Sequence, residues 1–341
     1  MKISIIVPVY DVEPYIYRCL RSLIEQDLPK NEYEIIVVND GSPDNSREVV
    51  IKIQKDINNI VLIDQDNQGV SIARNTGLDA AKGEFVLFID PDDYVKKHTL
   101  DSLYRKALNN KLDVLYLGFE FWGINGDYSE KADYAHLENN IFTGTIAYRA
   151  TRGQKMPSPD HSVAILFSRS FLLSNALRYK ENIPFLEDGH FVGKVLCIAK
   201  RCAFSNKPFY VCKKRPGSAS TTKKKNDLKK INGLLIAAKD LQHFSQNQNY
   251  SVDQIKLINH LIAKFVITSI MNAISSRNTK TLKYVRKELV ENNLGKLKTS
   301  GLTDLKPYAN WYNMSYWSFV CWFSSKIIHN KLQTCLKRKS S

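Results

Sequence analysis

Apolar and polar positions in the first hundred residues alternate between two periods. Residues 3–8 (ISIIVP), 34–38 (EIIVV), 60–64 (IVLID) and 84–90 (EFVLFID) are short, nearly continuous apolar runs. That is the pattern of strands buried on both faces of a parallel sheet. Between them the spacing turns helical. Residues 13–26 place Tyr15, Cys19, Leu20, Leu23 and Ile24 on one face, Pro43 opens a helix to about Asp56, and a third helix covers 70–81. Ser42 or Asp44 can cap the second of these, and proline suits a first helical turn. Strands alternating with helices of this length predict βαβ units and a parallel sheet covered on both faces.

Beyond Tyr94 the pattern predicts a helix at 98–110, strands at 113–117 and 163–168, and helices at 169–176 and 190–199. Residues 201–206 and 208–213 read as a hairpin turning at Lys207-Pro208. Residues 118–160 are irregular and rich in aromatic, glycine and polar residues, as specificity-bearing insertions are. Helical spacing returns at 228–247, 252–275 and 279–292. The expectation is an α/β working domain over residues 1–222 and a helical region over 223–341.

In open α/β sheets, ligands bind at the carboxyl ends of the strands. Those ends read Pro8-Val9-Tyr10-Asp11, then Asn39-Asp40-Gly41-Ser42, then Asp66-Asn67-Gln68-Gly69, and finally Asp90-Pro91-Asp92-Asp93. Arg74-Asn75 follow on the third helix. All four ends carry carboxylates, which would repel one another unless a cation relieved them. Mg²⁺ or Mn²⁺ bridging a phosphate takes oxygen ligands of this kind, and Arg74 supplies a fixed positive charge suited to phosphate oxygens. Singly, each element also reads as an ordinary turn or cap. Together, in this order, they point to a metal and a phosphate.

Further along, Glu187-Asp188 follow an apolar stretch and open a helix, where an ionised carboxylate is favoured. An acidic cap is the plain alternative. His190 is a second candidate base or metal ligand, and His161 a weaker one. Lys213-Lys214-Arg215-Pro216-Gly217-Ser218-Ala219-Ser220 offers donors for a phosphate, or is a solvated basic loop.

These motifs together resemble a known family. The segments IIVPVY, VVNDGSPDNS and DNQGVSIARNTGLDAAKGEFVLFIDPDDY are similar to the nucleotide-sugar domain of family 2 glycosyltransferases, of bacterial capsular and exopolysaccharide type. The resemblance spans residues 1–110 and continues more faintly to about 220. It implies the GT-A fold, a Rossmann-like, mostly parallel central sheet with flanking helices. It implies that Pro8 and Tyr10 line the nucleobase pocket, that Asp40 bonds the base, usually uracil, and that Asn67 and Arg74 lie near the uridine diphosphate or sugar. Asp90 and Asp92 match the DxD motif, in which the second Asp binds Mn²⁺ or Mg²⁺ and the first contacts ribose or sugar and assists. Asp188 would be the catalytic base and Glu187 its support. Arg215 and Ser220, with Ser218 as an alternative, would close over the pyrophosphate and exclude water.

Charge separates the two regions. The chain has 341 residues and a formal net charge of +15. Residues 1–200 carry 23 basic and 28 acidic side chains, and residues 201–341 carry 26 basic and 6 acidic. The balance is therefore −5 in the first part and +20 in the second. An evenly basic nucleic-acid binder is excluded, and a basic appendage on an acidic domain fits better. Six cysteines show no CxxC spacing, so reduced thiols are expected. Pro8 and Asp11 interrupt the first apolar run too early for a signal peptide.

From Pro307 to Ser325 there is no charged residue, and Tyr312, Tyr316, Phe319, Phe323 and Ile327 fall along one helical stripe. Trp and Tyr favour the headgroup interface. An in-plane amphipathic helix at about 305–330, resting on an anionic membrane surface with basic flanks, is the expectation; a helix packed on the protein's own core or on a second subunit is the alternative, and a transmembrane helix is disfavoured because Asn and Ser dilute the run. The combined reading is a metal-dependent inverting glycosyltransferase. It would move a hexosyl or N-acetylhexosaminyl group from a UDP-sugar to a saccharide hydroxyl, on an acceptor carried by polyprenyl diphosphate, in surface-polysaccharide synthesis. The protein would be cytoplasmic and peripheral on the inner face of the cell membrane. A nucleotidyltransferase is disfavoured because Pro8-Val9-Tyr10-Asp11 stands where a glycine-rich phosphate loop belongs. A non-catalytic or nucleic-acid-binding module is disfavoured because Asp40, Asp92 and Asp188 occur together.

Overall fold

The near-continuous apolar runs become strands because only a sheet centre buries every side chain of such a segment. In the computed structural model, which describes residues 1–123, 128–152, 160–214, 228–246, 249–301 and 304–339, all seven side chains of β1 (Ile3–Val9) and all eight of β2 (Tyr33–Asp40) are buried. The other strands are β3 (Ile60–Gln65), β4 (Phe85–Phe88), β5 (Tyr94–Val95), β6 (Val114–Trp122), β7 (Tyr128–Lys131), β8 (Ile165–Ser168) and β9 (Cys202–Lys213). The accompanying helices are α1 (Glu13–Ile24), α2 (Ser46–Gln54), α3 (Val70–Ala80), α4 (Leu100–Asn109), α5 (Gly144–Arg152), α6 (Arg169–Ser174) and α7 (Glu187–Ile198). The sheet order is β3-β2-β1-β4-β8-β6-β9-β5, with β7 paired to β6.

The parallel expectation holds for β3-β2-β1-β4, where β1 runs from Ile3 opposite Tyr33 to Val9 opposite Asn39. It does not hold for β5, β7 and β8. β8 is antiparallel to both β4 and β6, and β5 is antiparallel to β9. An apolar run records burial and not direction, so periodicity alone could not distinguish the two.

The expected hairpin at Lys207-Pro208 is instead one strand, β9. Both of its halves pair in parallel with β6, Cys202 opposite Val114 and Lys213 opposite Trp122. The ladder skips between Tyr116↔Phe204 and Gly118↔Pro208. Pro208 has no N–H to give the ladder, and a bulge absorbs it. Gly118 permits the bulge, because a Cβ there would stand 2.3 Å from the Lys207 carbonyl oxygen.

An aromatic cluster fixes α7 on the sheet. Phe191 of α7 stacks on Tyr179 with centroids 4.2 Å apart and meets Phe88 and Phe167 edge-on. The first turn of α7 is thereby held at a defined height above β4.

The chain divides into two compact units, Met1–Glu181 with Glu187–Thr222, and Asn182–Leu186 with Lys223–Ser341. The second unit holds α8 (Leu228–Phe244), α9 (Val252–Ser275), α10 (Thr279–Glu291), α11 (Lys306–Met314) and α12 (Tyr316–Lys339). α9 is long and apolar enough to cross a membrane, but 72% of its apolar window is buried inside the protein, as in a core helix.

The aromatic segment differs from expectation in two ways. It is two helices broken at Ser315, which is extended (φ −167°, ψ 139°). Its stripe also faces inward. Tyr312, Tyr316, Phe319 and Phe323 are all buried, with the Tyr312 hydroxyl donating to the Leu294 carbonyl (2.7 Å) and that of Tyr316 to the Leu282 carbonyl (2.8 Å). The stripe is the seam by which α11 and α12 close their own unit, and it is not a lipid face. Burying aromatic area against neighbouring helices stabilises this unit, and the two buried hydroxyls find backbone partners, as burial demands.

Replacing Gly118 with Val should lower stability by about 1–3 kcal/mol, the cost of overpacking against backbone that cannot swing aside. The urea midpoint measures it. An unchanged midpoint would show that the β6–β9 bulge is not tightly packed.

Candidate active site

The carboxyl edge of β1–β3 is organised by Asp40. This residue ends β2 and is buried. Its Oδ1 accepts from Gln65 Nε2 (2.7 Å) and the Gln68 amide (2.9 Å), and its Oδ2 accepts from the Gly69 amide (2.8 Å). The loop after β3 is therefore folded around one carboxylate, and Gly69 adopts the left-handed φ of 91° that leads into α3. Thr76 of α3 donates to Gln65 Oε1 (2.8 Å) and ties loop to helix. Pro8 is buried within β1, Tyr10 is 48% exposed just past it, and Asn67 is exposed on the loop. Asp40 was expected to bond a base. The backbone contacts that occupy both of its oxygens were not visible in the sequence.

Arg74 is the centre of the site. It projects from α3 and is only 3% exposed. Nη2 donates to Asp90 Oδ1 (2.9 Å), and Nη1 donates to Asp188 Oδ1 (2.9 Å) and Glu187 Oε1 (3.3 Å). The guanidinium also lies 5.0 Å from the Tyr179 ring centroid. Both terminal amino groups are thus engaged by carboxylates. One side chain joins the loop after β4 to the first turn of α7, two segments that are 98 positions apart counting from Asp90 to Asp188. Loss of hydration acts against the charge of Arg74, but the three acids more than compensate and raise its pKa.

The loop after β4 brings carboxylate oxygens of Asp90, Asp92 and Asp93 within 4.8 Å of one another. Asp93 is committed inward, accepting from the Tyr210 hydroxyl (2.6 Å) and the Lys213 amide (3.1 Å). Asp90 and Asp92 remain toward the cleft, and Arg18 donates to the Asp92 carbonyl (2.7 Å). Hard oxygen donors at this spacing fit Mg²⁺ or Mn²⁺. Burial pushes the Asp90 carboxyl up to about 6, with Arg74 opposing the shift, and pushes Asp93 up to about 7, with Asp90 and Asp92 adding to it. Burial and the neighbouring Asp188 also raise Glu187.

Two residues that sequence reasoning missed complete the surroundings of Asp188. Ser162, which is fully buried, donates to Asp188 Oδ1 (2.8 Å) and receives the Tyr179 hydroxyl at 2.5 Å. Neither belongs to a motif. They reach Asp188 only because Asn75 clamps the Tyr179 backbone, its Nδ2 donating to the carbonyl (2.9 Å) and its Oδ1 accepting from the amide (3.0 Å). His190, on the buried face of α7, is fully buried, unlike an accessible base. His161 stacks on Phe119, and burial lowers its pKa. Arg215, Ser218 and Ser220 lie outside the described residues.

A half-parallel, half-mixed sheet whose carboxyl edge bears an acidic loop defines the GT-A class of fold. The family model for glycosyl transferase family 2 matches residues 4–172, and the chain belongs to that family. Among curated relatives, the uncharacterized glycosyltransferase EpsJ of Bacillus subtilis is 32% identical over 223 residues, covering 63% of this chain and 62% of EpsJ. The poly(ribitol-phosphate) beta-glucosyltransferase of Bacillus spizizenii is 33% identical over 220 residues, 64% of this chain and 33% of that protein. The chain therefore spans less than two thirds of each. Among solved structures, residues 1–349 of Staphylococcus aureus TarS in complex with UDP-GlcNAc superpose with a TM-score of 0.70 at 23% identity, covering 97% of this chain and 92% of that one. At that identity the likeness speaks for the fold.

Asp90, Asp93 and Glu187 hold their protons to higher pH when folded than when unfolded. Each contribution is complete below the unfolded carboxylate range near pH 4 and is lost as pH rises through the folded values. In chelator, the melting temperature should fall between about pH 5 and pH 7.5, and an Asp93→Asn variant should fall less. A flat profile would show that these carboxyls titrate normally.

Proposed function

We propose that the chain is an inverting glycosyltransferase that takes a UDP-sugar as donor. The observation that carries this reading is the shared guanidinium of Arg74, which bonds both the first Asp of the DxD loop and Asp188. A donor diphosphate beside Asp90 and Asp92 would then lie next to a carboxylate able to take a proton. Asp92, helped by Asp90, would hold the Mn²⁺ or Mg²⁺, which would supply positive charge to the diphosphate as it leaves.

The remaining work falls to the chain's own residues. Pro8, Tyr10 and Asn67 would bind the nucleotide along the strand ends, and Asp40 would keep that pocket in shape while meeting the base. Arg74 and Glu187 would hold Asp188 in place. Asp188 would accept the proton of an acceptor hydroxyl as its oxygen attacks the anomeric carbon opposite the diphosphate. The carbon–oxygen bond to the diphosphate breaks and configuration inverts. Arg215 and Ser220, which lie outside the described residues, would supply donors to the pyrophosphate.

The names of the relatives support a hydroxyl of a surface polymer as the acceptor class, and TarS with UDP-GlcNAc supports the donor class. A saccharide on polyprenyl diphosphate, met on the cytoplasmic side of the cell membrane, fits the basic second unit. The surface suited to lipid is not the buried stripe. It is the pair Met314, 72% exposed, and Trp317, 38% exposed, with the Arg286 guanidinium 6.0 Å from the Trp317 ring. Basic groups contribute roughly 1 kcal/mol each near an anionic surface.

Screening UDP-sugars with Mn²⁺ for UDP release, against poly(ribitol phosphate) and lipid-linked oligosaccharides, tests the class. Asp188→Asn should keep UDP binding and lose transfer by at least about 10²-fold, the usual worth of a general base. Transfer at near wild-type rate would overturn the assignment of the base. Preferential binding of a single-stranded oligonucleotide over UDP would favour a nucleic-acid module instead. A Met314→Glu, Trp317→Glu variant should lose affinity for phosphatidylglycerol vesicles while keeping donor binding. Unchanged vesicle affinity would remove the lipid contact from this face.

A further inference from the structure

We propose that Ser162 and Tyr179 are positioning residues for Asp188, acting as a directed hydrogen-bond relay; this rests on Asp188 being the base. The direction follows from the chemistry of the three groups. Tyr179 is buried, and burial raises its phenol far above the ordinary value, only partly opposed by Arg74. The phenol therefore keeps its proton and donates it to Ser162 Oγ. A serine hydroxyl has a single proton, so the proton of Ser162 is committed to Asp188 Oδ1 at 2.8 Å.

Arg74 Nη1 donates to the same oxygen at 2.9 Å. Two donors thus converge on Oδ1, and among the described residues no hydrogen bond reaches Oδ2. A carboxylate held in this way presents one defined oxygen, Oδ2, to an acceptor hydroxyl. It cannot turn to offer either oxygen without breaking both bonds, and Oδ1, with two donors on it, has no lone pair left for a proton unless one donor is displaced. Ser162 lies on the segment leading into β8, Asp188 in the first turn of α7 and Tyr179 beyond α6. The relay therefore depends on the aromatic stack of Tyr179 on Phe191 (4.2 Å) and on the clamp of Asn75. Consecutive residues of α3 serve one purpose, with Arg74 gripping the carboxylate and Asn75 gripping the strand of chain that orients its second donor.

The test uses the full chain and measures Mn²⁺-dependent UDP release from UDP-glucose and UDP-GlcNAc, with water as acceptor and then with poly(ribitol phosphate). Ser162→Ala should lower kcat by about 10-fold or more, the worth of a hydrogen bond to a charged group, while KM for the donor and affinity for UDP stay within about two-fold. Tyr179→Phe keeps the ring under Arg74 and should lower kcat by a smaller factor. The double variant should be no slower than Ser162→Ala alone, because the tyrosine acts only through the serine.

Unchanged kcat in Ser162→Ala would overturn the relay, as would losses that multiply in the double variant. A rise in donor KM in step with the loss of kcat would also overturn it, by showing a general disturbance of the cleft. If Ser162→Ala fails to fold, the measured quantity becomes kcat for Tyr179→Phe at unchanged KM, with unchanged kcat again overturning the relay. Asp188→Asn separates the two readings. Full activity in that variant defeats the base itself, whereas its inactivity beside a fully active Ser162→Ala defeats the relay alone.

Discussion

A buried guanidinium holding three carboxylates is the constraint on which the site depends. Arg74 gives up most of its hydration to sit beneath the cleft, and the Coulomb attraction of Asp90, Glu187 and Asp188 offsets that cost. Removing one partner from such a group is expensive, about 3–5 kcal/mol, because the remaining charge stays buried. Arginine suits the position because its planar fork offers donors in two directions at once, which a lysine ammonium does less well. Three acids against one base, with Asp92 and Asp93 beside them, leave the cleft negative. A divalent cation relieves such a field, and in its absence raised carboxyl pKa values do the same.

Everything that delivers groups to Arg74 is sheet geometry. The parallel half supplies α3 and the loop after β4, because parallel strands place all their carboxyl ends on one edge. The mixed half supplies Ser162 and, through the aromatic cluster on β4 and β8, the first turn of α7. The bulge at Gly118 lets β9 run alongside β6 long enough to bring Tyr210 and Lys213 to Asp93. The acidic loop is thus anchored from behind by a strand some 120 residues away in sequence. Asp40 does comparable work at the edge of β1–β3, where one carboxylate organises the whole turn between β3 and α3.

The second unit shows how the same residues read differently in sequence and in space. A charge-free aromatic run with basic flanks has the composition of an interfacial helix. Ser315 breaks it, the stripe turns inward, and the tyrosine hydroxyls satisfy backbone carbonyls of the α10 region. Composition reports that a segment must leave water. It does not report whether lipid or protein receives it, because both are apolar and both accept aromatic rings.

The sequence by itself determined the βαβ alternation, the strand ends and the acidic residues at them, since burial period and turn chemistry are local properties. It placed Asp90, Asp92, Glu187 and Asp188 as candidates because acids at strand ends and helix starts are legible one segment at a time. Strand direction in the second half, the unbroken β9 and the inward aromatic seam were decided by tertiary packing. So was the convergence on Asp188 of Arg74, Ser162 and Tyr179, residues up to 114 positions away. A lone serine and a lone tyrosine carry no local signal. They acquire a role only when the folded chain brings a donor, an acceptor and a buried charge within hydrogen-bond distance, and no periodicity in the chain encodes that distance.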